Sequence, residues 1–198
     1  MPKPKRLGAN SMNRSCKEIW EEMTELSKEN HVRNYSCDMD MSDYLVETEL
    51  FPKDVLHAYS QWNLEKPLDD ELKKYFSDTR GGDQGDYRTG MSAKTDNVVN
   101  CLNAFPESKR ALITVCNTST PDHSDDESAK CMREIHFYLD SDNQLSANVL
   151  FRAQAALIFP KNVHFIGSLM HEIALRLNTK PKLGQLHYTT TILVSDRS

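Results

Sequence analysis

The sequence predicts a mixed α/β (α+β) fold, with helices packed on a largely antiparallel sheet, and three observations support this prediction. Residues 111–116 form an apolar, partly β-branched run that is typical of a buried strand. Residues 135–152 read as a hairpin, because two strand-like runs flank the turn Asp140–Asn143. Apolar side chains then recur at helical spacing over 162–178, and a Thr-rich strand follows at 186–194.

The N-terminal half reads as helices joined by polar segments. A helix is expected from 15 to about 28, where a serine cap precedes acidic residues in the first turn. Helices are also expected at 53–62 and 68–76, each after a proline, and at 95–104. The polar, Met-containing residues 34–43 fit neither a helix nor a strand pattern.

The size and the charge of the chain exclude some classes of protein. A length of 198 residues suits one domain with a full core. Residues 1–14 are basic and polar, and we expect a disordered tail there, followed by a single domain over 15–198. The net charge of −5 argues against broad contact with DNA or RNA.

Membrane and metal signatures are missing from the sequence. No stretch approaches the ~20 apolar residues that span a bilayer, and the N-terminus has no apolar signal region, so a cytoplasmic protein is expected. The cysteines show neither CxxC nor metal-finger spacing, so free thiols and no metal are expected. The five cysteines are Cys16, Cys37, Cys101, Cys116 and Cys131.

Four of the seven glycines fall within residues 77–92, which contain no large aliphatic side chain. The segment is typical of a flexible surface loop. It is equally typical of a ligand loop, in which Arg80 and Arg88 could bind phosphate. Its glycine spacing fits neither a dinucleotide-binding fingerprint nor a P-loop.

An ordered series of short motifs runs from about Asp96 to Val194. SKRALITVCN places Lys109-Arg110 in a turn before a predicted strand, and KCMREIHFYL places Cys131 six residues before Phe137. LSANVLFRAQA carries Arg152 on the second strand of the hairpin. FPKNVHF and QLHYTTTILV supply the remaining members, which are Pro160, Asn162, His187 and Tyr188.

In their order and spacing, these motifs resemble the thymidylate synthase family, which also contains the pyrimidine hydroxymethylases. The resemblance covers roughly half of the chain. It also has departures, because Met132, Ala153 and Ala155 stand where the family has His, Ser and Asp. In the N-terminal half, Arg33 is the match for the family's arginine loop and Glu65 for its general base.

The resemblance implies that Cys131 is the catalytic nucleophile. The family reaction needs a thiolate that adds to C6 of a pyrimidine and thereby activates C5 for a one-carbon unit. A thiolate forms more readily beside cations, and the available cations are Lys130, Arg133, Arg152 and the Lys109-Arg110 pair. The alternative is that Cys131 is an ordinary buried thiol.

Basic residues are the candidates for binding the phosphate of the nucleotide. Arg152 lies on an apolar strand, where it either pairs with an acidic residue or binds phosphate through its guanidinium fork. In the family, the pair matching Lys109 and Arg110 reaches into the site of a second subunit. The resemblance therefore implies a homodimer with shared sites, and Arg33 is a further substrate-binding candidate.

The base and the sugar would be read by three residues. Asn162 is either an N-cap of the long helix or an amide that accepts from N3–H and donates to O4 of uracil. His187 and Tyr188 would contact the ribose hydroxyls, or they are an ordinary strand pair.

Together these observations favour an enzyme, a pyrimidine nucleotide C5 methyltransferase or hydroxymethyltransferase. Its substrate would be a pyrimidine nucleoside monophosphate, with uracil favoured, and its one-carbon donor 5,10-methylenetetrahydrofolate. Hydroxymethylation receives added weight, because methyl transfer needs a closed site and several closing residues are absent. The alternatives are an inactive family member that binds a nucleotide or a protein, and an α/β interaction protein without a nucleotide site.

Overall fold

A sheet of six strands with helices packed on it forms the frame of the protein, which confirms the predicted mixed α/β fold with a largely antiparallel sheet. The structure is a computed structural model and describes residues 14–73, 87–115 and 130–196. The described strands are β1 (Val32–Asp40), β2 (Leu112–Thr114), β3 (Met132–Leu139), β4 (Gln144–Phe151), β5 (Gln154–Ala155) and β6 (Lys182–Val194). The described helices are α1 (Cys16–Leu26), α2 (Lys53–Asn63), α3 (Asp70–Lys73), α4 (Met91–Ala104) and α5 (Phe159–Arg176), and a short 3-10 helix precedes α5 at Ala156–Ile158.

The strand order is β1-β6-β4-β3-β2, and β5 pairs with the end of β6. β6 runs parallel to β4 and β5, whereas the pairs β1–β6, β3–β4 and β2–β3 are antiparallel. These directions bring the start of β3, the ends of β4 and β6 and the start of β1 to one end of the sheet. We refer to it as the β3-start end. The start of β2 lies at the opposite end.

Helix α5 is the central helix of the core. Thirteen of its 18 residues are buried, because it packs between the sheet and the helices α1, α2 and α4. The strands present alternate side chains to it, among them Phe137, Val149, Phe151 and Leu186, which are all buried. This alternation leaves the other face of the sheet to polar residues.

The exposed face of the sheet has a regular register across five strands. One row of paired residues contains Asp38, His187, Asn148, His136 and Leu112, on β1, β6, β4, β3 and β2. Asp38, Asn148, His187 and Leu112 are exposed and His136 is half-buried. This face is therefore an open, mostly polar surface in the described part of the chain.

Local sequence signals explain how two elements begin and turn. Ser15 caps α1 through a capping box, in which its hydroxyl accepts from the Glu18 backbone and Glu18 accepts from the Ser15 backbone. The predicted hairpin is confirmed. Its turn is held by Asp140, whose carboxylate accepts from the backbone of Asp142 and Gln144, while Asn143 adopts a left-handed conformation.

Three elements differ from the sequence predictions. Strand β1 occupies 32–40, where no element was predicted, because its outward side chains are polar and hide the alternation of Tyr35, Cys37 and Met39. Helix α5 begins at Phe159, before the predicted 162, because Pro160 is tolerated in the first turn. Helix α4 also begins earlier, at Met91.

Other predictions have narrower or partial counterparts. The strand predicted at 111–116 is described as Leu112–Thr114, and the helix predicted at 68–76 as Asp70–Lys73. Cys116-Asn117, the acidic segment after it, Arg80 and most of the expected N-terminal tail lie outside the described residues.

Candidate functional site

Cys131 and Arg152 face each other at the β3-start end of the sheet. Cys131 immediately precedes β3 and Arg152 immediately follows β4. The backbone N–H of Arg152 donates to the carbonyl oxygen of Cys131 over 2.8 Å. The Cys131 thiol is free and half-buried against the core, whereas the Arg152 side chain is exposed. A free thiol and an arginine are therefore held side by side in the backbone at the rim of the sheet.

Because the Arg152 side chain is exposed, its place on the sheet does not by itself require a bound anion. An arginine on an apolar strand is expected to need an anion because its burial is costly. The strand ends at Phe151, so the guanidinium lies at the rim and is not buried. Lys130 and Arg133 flank Cys131 and are half-buried, which makes this end of the sheet rich in basic side chains.

A buried cluster of three polar residues lies at the same end. Gln154 on β5, Asn162 on α5 and Tyr188 on β6 are 1%, 2% and 0% exposed. The Gln154 Oε1 oxygen accepts from the Asn162 Nδ2 at 2.9 Å and from the Tyr188 hydroxyl at 2.5 Å. The Gln154 Nε2 donates to the carbonyl oxygen of Ala155 at 2.6 Å. We refer to Gln154, Asn162 and Tyr188 as the amide cluster.

Tyr188 donates the shortest hydrogen bond of the amide cluster. Burial raises the pKa of Tyr188 well above its ordinary value, and the nearby Tyr87, Cys37 and Cys131 raise it further. The hydroxyl is therefore protonated at neutral pH and can donate to Gln154.

Asn162 is not the N-cap of its helix. The N-cap position of α5 is Ile158, and Asn162 lies four residues further on, with its side chain buried. Its Oδ1 oxygen is inaccessible to solvent and has no hydrogen-bond partner within the described residues. A buried amide oxygen without a partner is rare, since leaving it unsatisfied costs about 1–3 kcal/mol.

His187 lies outside this site. It alternates with Tyr188 along β6, so that the two side chains point to opposite faces of the sheet. On the exposed face the His187 Nδ1 is 2.7 Å from an Asp38 carboxylate oxygen, and its Nε2 is 3.3 Å from the Ser36 hydroxyl. The structure therefore does not bring His187 and Tyr188 together as two contacts for one ribose.

The remaining basic candidates are divided between the two ends of the sheet. Arg33 is exposed near the start of β1 and pairs with Ile192, so it lies at the β3-start end with Arg152. Lys109 and Arg110 are exposed just before β2, at the opposite end. The next residue, Ala111, accepts from the backbone N–H of Phe137, which is six residues along β3 from Cys131. That separation is about 20 Å.

The turn that carries Lys109 and Arg110 has a surface of its own. Residues 104–110 line an open groove of about 790 Å³. Phe105 in this groove is 69% exposed, which is unusual for a phenylalanine. The turn therefore presents an aromatic ring and two cations, far from Cys131 of its own chain.

Two other residues that the sequence singled out have structural contacts. The Glu65 carboxylate accepts from the backbone N–H groups of Gly90 and Ser92, and so caps the start of α4. The Arg88 guanidinium lies over the ring of Trp62, 3.6 Å from its centroid. Glu65 and Arg88 thus hold α4 against the end of α2 in the described structure.

Gln154 is the member of the amide cluster that the sequence motifs did not single out. It is the only amide in the apolar run FRAQAALIF. A lone amide among small and apolar residues signals a buried polar group, and buried polar groups are hydrogen-bonded. That signal is present in the sequence and could have identified the residue.

The described residues contain no group of three or more His, Cys, Asp or Glu side chains placed to bind a metal ion. None of the described helices combines the length and apolar character of a membrane span. Comparison with known proteins found no family model and no curated protein that matches this sequence.

Proposed function

We propose that this chain transfers a one-carbon unit to C5 of a pyrimidine nucleoside monophosphate, as a diverged protein of the thymidylate synthase type. One observation carries the proposal: Cys131, Arg152 and the amide cluster lie at the same end of one sheet. A nucleophile, a cation and a buried amide suit the base and phosphate of a nucleotide. The thymidylate synthase-like form of the fold is part of this proposal.

The chemistry follows from a thiolate that meets an electron-poor double bond. The Cys131 sulfur adds to C6 of the base, and the electron pair of the C5–C6 double bond moves towards C5 and O4. C5 then bonds to the one-carbon unit and loses its proton to water. The donor would leave the transferred carbon as tetrahydrofolate, and in hydroxymethylation water would supply the hydroxyl group that replaces it. Expulsion of the sulfur from C6 restores the double bond and the free thiolate. In the family the one-carbon unit comes from 5,10-methylenetetrahydrofolate, and here its role rests on the resemblance.

The other residues bind and orient the nucleotide in this proposal. Arg152, at the rim beside Cys131, binds the phosphate, and Arg33 at the same end adds positive charge. Asn162 reads the edge of the base through its free Oδ1 oxygen, which suits the N3–H of uracil. Tyr188 supports Gln154 in the amide cluster.

A homodimer with shared sites accounts for Lys109 and Arg110. Both are exposed at the end of the sheet opposite Cys131, about 20 Å away along β3. In this dimer the two copies pack through their exposed sheet faces. The twofold axis lies between the sheets, parallel to their planes and perpendicular to the strands, so the strands of one copy run opposite to those of the other. The Lys109-Arg110 turn of one copy then lies over the β3-start end of its partner.

A cytoplasmic location suits the proposed reaction, because a reducing compartment keeps a catalytic thiol free. The four described cysteines are free. Hydroxymethylation is favoured over methylation, because residue 132, which follows the nucleophile, is a buried methionine, and Ala153 and Ala155 are small residues near the amide cluster. A site with fewer polar closing groups admits water, and water is the co-reactant of hydroxymethylation.

Tritium release from C5-labelled dUMP, UMP, dCMP and CMP, each with and without 5,10-methylenetetrahydrofolate, tests the proposal. Release needs only thiolate addition at C6 and loss of the C5 proton. Folate-dependent release from one nucleotide, abolished in Cys131→Ala, would support the enzyme and name its substrate. Absence of release from all four would overturn C5 chemistry on these monophosphates.

The alternative function is an inactive relative that binds a nucleotide or a protein partner. Met132, Ala153 and Ala155 favour it, because each replaces a polar residue of the family motifs. The two functions differ in one measurement. An inactive binder would bind one of the four nucleotides in isothermal titration, with and without the folate, and release no tritium from it.

A further inference from the structure

We propose that Gln154 sets the base preference of the site, because it holds the Asn162 side-chain amide in a single orientation. This inference rests on the proposed function, since it assigns the base-reading edge of the same site. It concerns a positioning residue, because Gln154 acts on the base through Asn162.

The Ala155 carbonyl oxygen determines how the Gln154 amide is oriented. Only a donor can lie 2.6 Å from a carbonyl oxygen, so the Gln154 Nε2 must face Ala155. The Gln154 Oε1 then faces the opposite way, towards α5 and β6. The Tyr188 hydroxyl, which is protonated at neutral pH, donates to that oxygen and reinforces the same orientation.

The orientation of the Gln154 amide determines the orientation of the Asn162 amide. Because Oε1 can only accept, Asn162 must direct its Nδ2 at Gln154, over 2.9 Å. Rotating the amide by 180° would bring two carbonyl oxygens together in a site where both residues are at least 98% buried. Water cannot relieve that repulsion, so the reversed orientation is strongly disfavoured. The Asn162 Oδ1 oxygen is left as the free acceptor.

The direction of an asparagine amide decides between uracil and cytosine when the base is held in one place. Uracil presents a donor at N3 and an acceptor at position 4, whereas cytosine presents an acceptor at N3 and a donor at position 4. Uracil and cytosine therefore require opposite orientations of the same asparagine amide. With Cys131 bonded to C6 and Arg152 on the phosphate, the base has little freedom to compensate. A fixed Oδ1 opposite N3 accepts from uracil and repels cytosine.

The test compares binding of dUMP, dCMP and 2-deoxyribose 5-phosphate, by isothermal titration, to the wild type, Gln154→Met and Thr190→Val. Methionine has a similar shape but cannot hold the Asn162 amide. Thr190→Val is the matched control, because it removes another buried hydrogen bond of β6, from the Thr190 hydroxyl to Ile192, outside the amide cluster.

We expect the wild type to prefer dUMP over dCMP by about tenfold or more, the value of one well-formed pair of hydrogen bonds to a base. Gln154→Met should bring that ratio close to one and leave the affinity for the base-free sugar phosphate within about twofold of wild type. Thr190→Val should keep the preference. A preference that survives in Gln154→Met, or a wild type that binds both nucleotides equally, would overturn the role of Gln154 and leave the proposed function standing.

Two further results complete the test. A wild type that binds neither nucleotide would overturn the proposed function together with this inference. The orientation itself can be measured on the unmodified protein, without reliance on the folding of a variant. Nuclear Overhauser effects from the Asn162 side-chain amide protons to the Tyr188 ring are expected, because Nδ2 and the Tyr188 hydroxyl share one acceptor. Their absence in an assigned spectrum would show that the amide points the other way.

Discussion

Arg152 donates its backbone N–H to the carbonyl oxygen of Cys131, so the main chain and not the side chains holds the two residues together. The contact continues the β3–β4 ladder by one step beyond the paired Met132 and Phe151. Either side chain can therefore be replaced while the other keeps its place. Substitution of either side chain therefore leaves this backbone hydrogen bond in place, so mutagenesis can test the two proposed roles separately.

The nucleophile is tested by Cys131→Ala and Cys131→Ser. Both should lower the rate of tritium release by more than about 1,000-fold, because neither side chain supplies a thiolate. The nucleotide affinity should change little, since the thiol is half-buried against the core and the phosphate is bound elsewhere. Titration of the same nucleotide checks this separation. Release that continues in the alanine variant would assign the chemistry to another group.

Arg152→Lys and Arg152→Ala test the phosphate contact. The alanine variant should raise KM by about tenfold or more, because a charge-assisted contact to phosphate is lost. The lysine variant should recover part of that loss, since it keeps the charge without the guanidinium fork. Circular dichroism and urea denaturation check that both variants are folded. Equal KM values in all three proteins would place the phosphate elsewhere.

The hairpin and the long helix were predictable because local signals specify them. Asp140 and Asn143 give the turn, and the apolar periodicity gives the helix. The role of Asn162 was less accessible. An N-cap asparagine and a buried asparagine have the same local sequence, and only the hydrogen bond from Asn162 to Gln154 on β5 distinguishes them.

The shared site predicts complementation between a variant with weakened nucleotide binding and a variant without the Cys131 thiol. Arg110→Ala should weaken nucleotide binding at the partner's site, and Cys131→Ser inactivates its own. Random exchange of subunits makes about half of the dimers mixed, and in each mixed dimer one of the two sites keeps both wild-type residues. At a nucleotide concentration that the Arg110→Ala site does not bind, the mixture should therefore show about a quarter of the wild-type activity. Sedimentation velocity checks that each variant is a dimer. Mixed dimers that show no gain over the parent proteins would contradict the shared site.

Pairing between strands that are distant in sequence explains which positions of the candidate residues could not be predicted. Arg33 and Arg152 reach the same end of the sheet only because β1 lies antiparallel to β6 and β4 parallel to it. Strand β1 itself was not predicted, since its polar outer residues resemble a loop. Lys109 and Arg110 belong to the same ordered series of motifs as Cys131 but lie at the other end of β3. The sequence motifs therefore predicted the candidate residues, and the topology of the sheet determined which of them lie at the same end.

Gly167 on α5 allows close packing of Tyr44, and Gly167→Ala tests this contact. A Cβ atom at Gly167 would lie 2.2 Å from the Tyr44 Cγ, so the ring must move. We expect a loss of about 1–3 kcal/mol in the free energy of unfolding, the usual cost of overpacking a core. Urea denaturation measures it. In a Tyr44→Ala background the same glycine substitution should cost much less, and an equal cost in both backgrounds would point to another cause.

His164 gives the protein an acid-sensitive stability. The ring is buried on α5, with its Nδ1 2.7 Å from the Ser60 hydroxyl and its edge against Tyr44. Burial, with a smaller contribution from the nearby His57, lowers the pKa of His164 to about 4. In the unfolded chain the pKa of a histidine is about 6.5. Between these values the unfolded state binds more protons than the folded state, so acid favours unfolding.

The sign of this linkage gives the last prediction. The contribution of His164 is complete above pH 6.5 and is lost as the pH falls towards 4. Between pH 7.5 and pH 5 the wild type should lose about 2 kcal/mol of unfolding free energy through this residue. Urea denaturation at the two pH values measures the loss, and His164→Phe removes the titrating group but keeps an aromatic ring. The pH-dependent loss should shrink by about that amount in the variant, and an undiminished loss would assign the acid sensitivity to other groups.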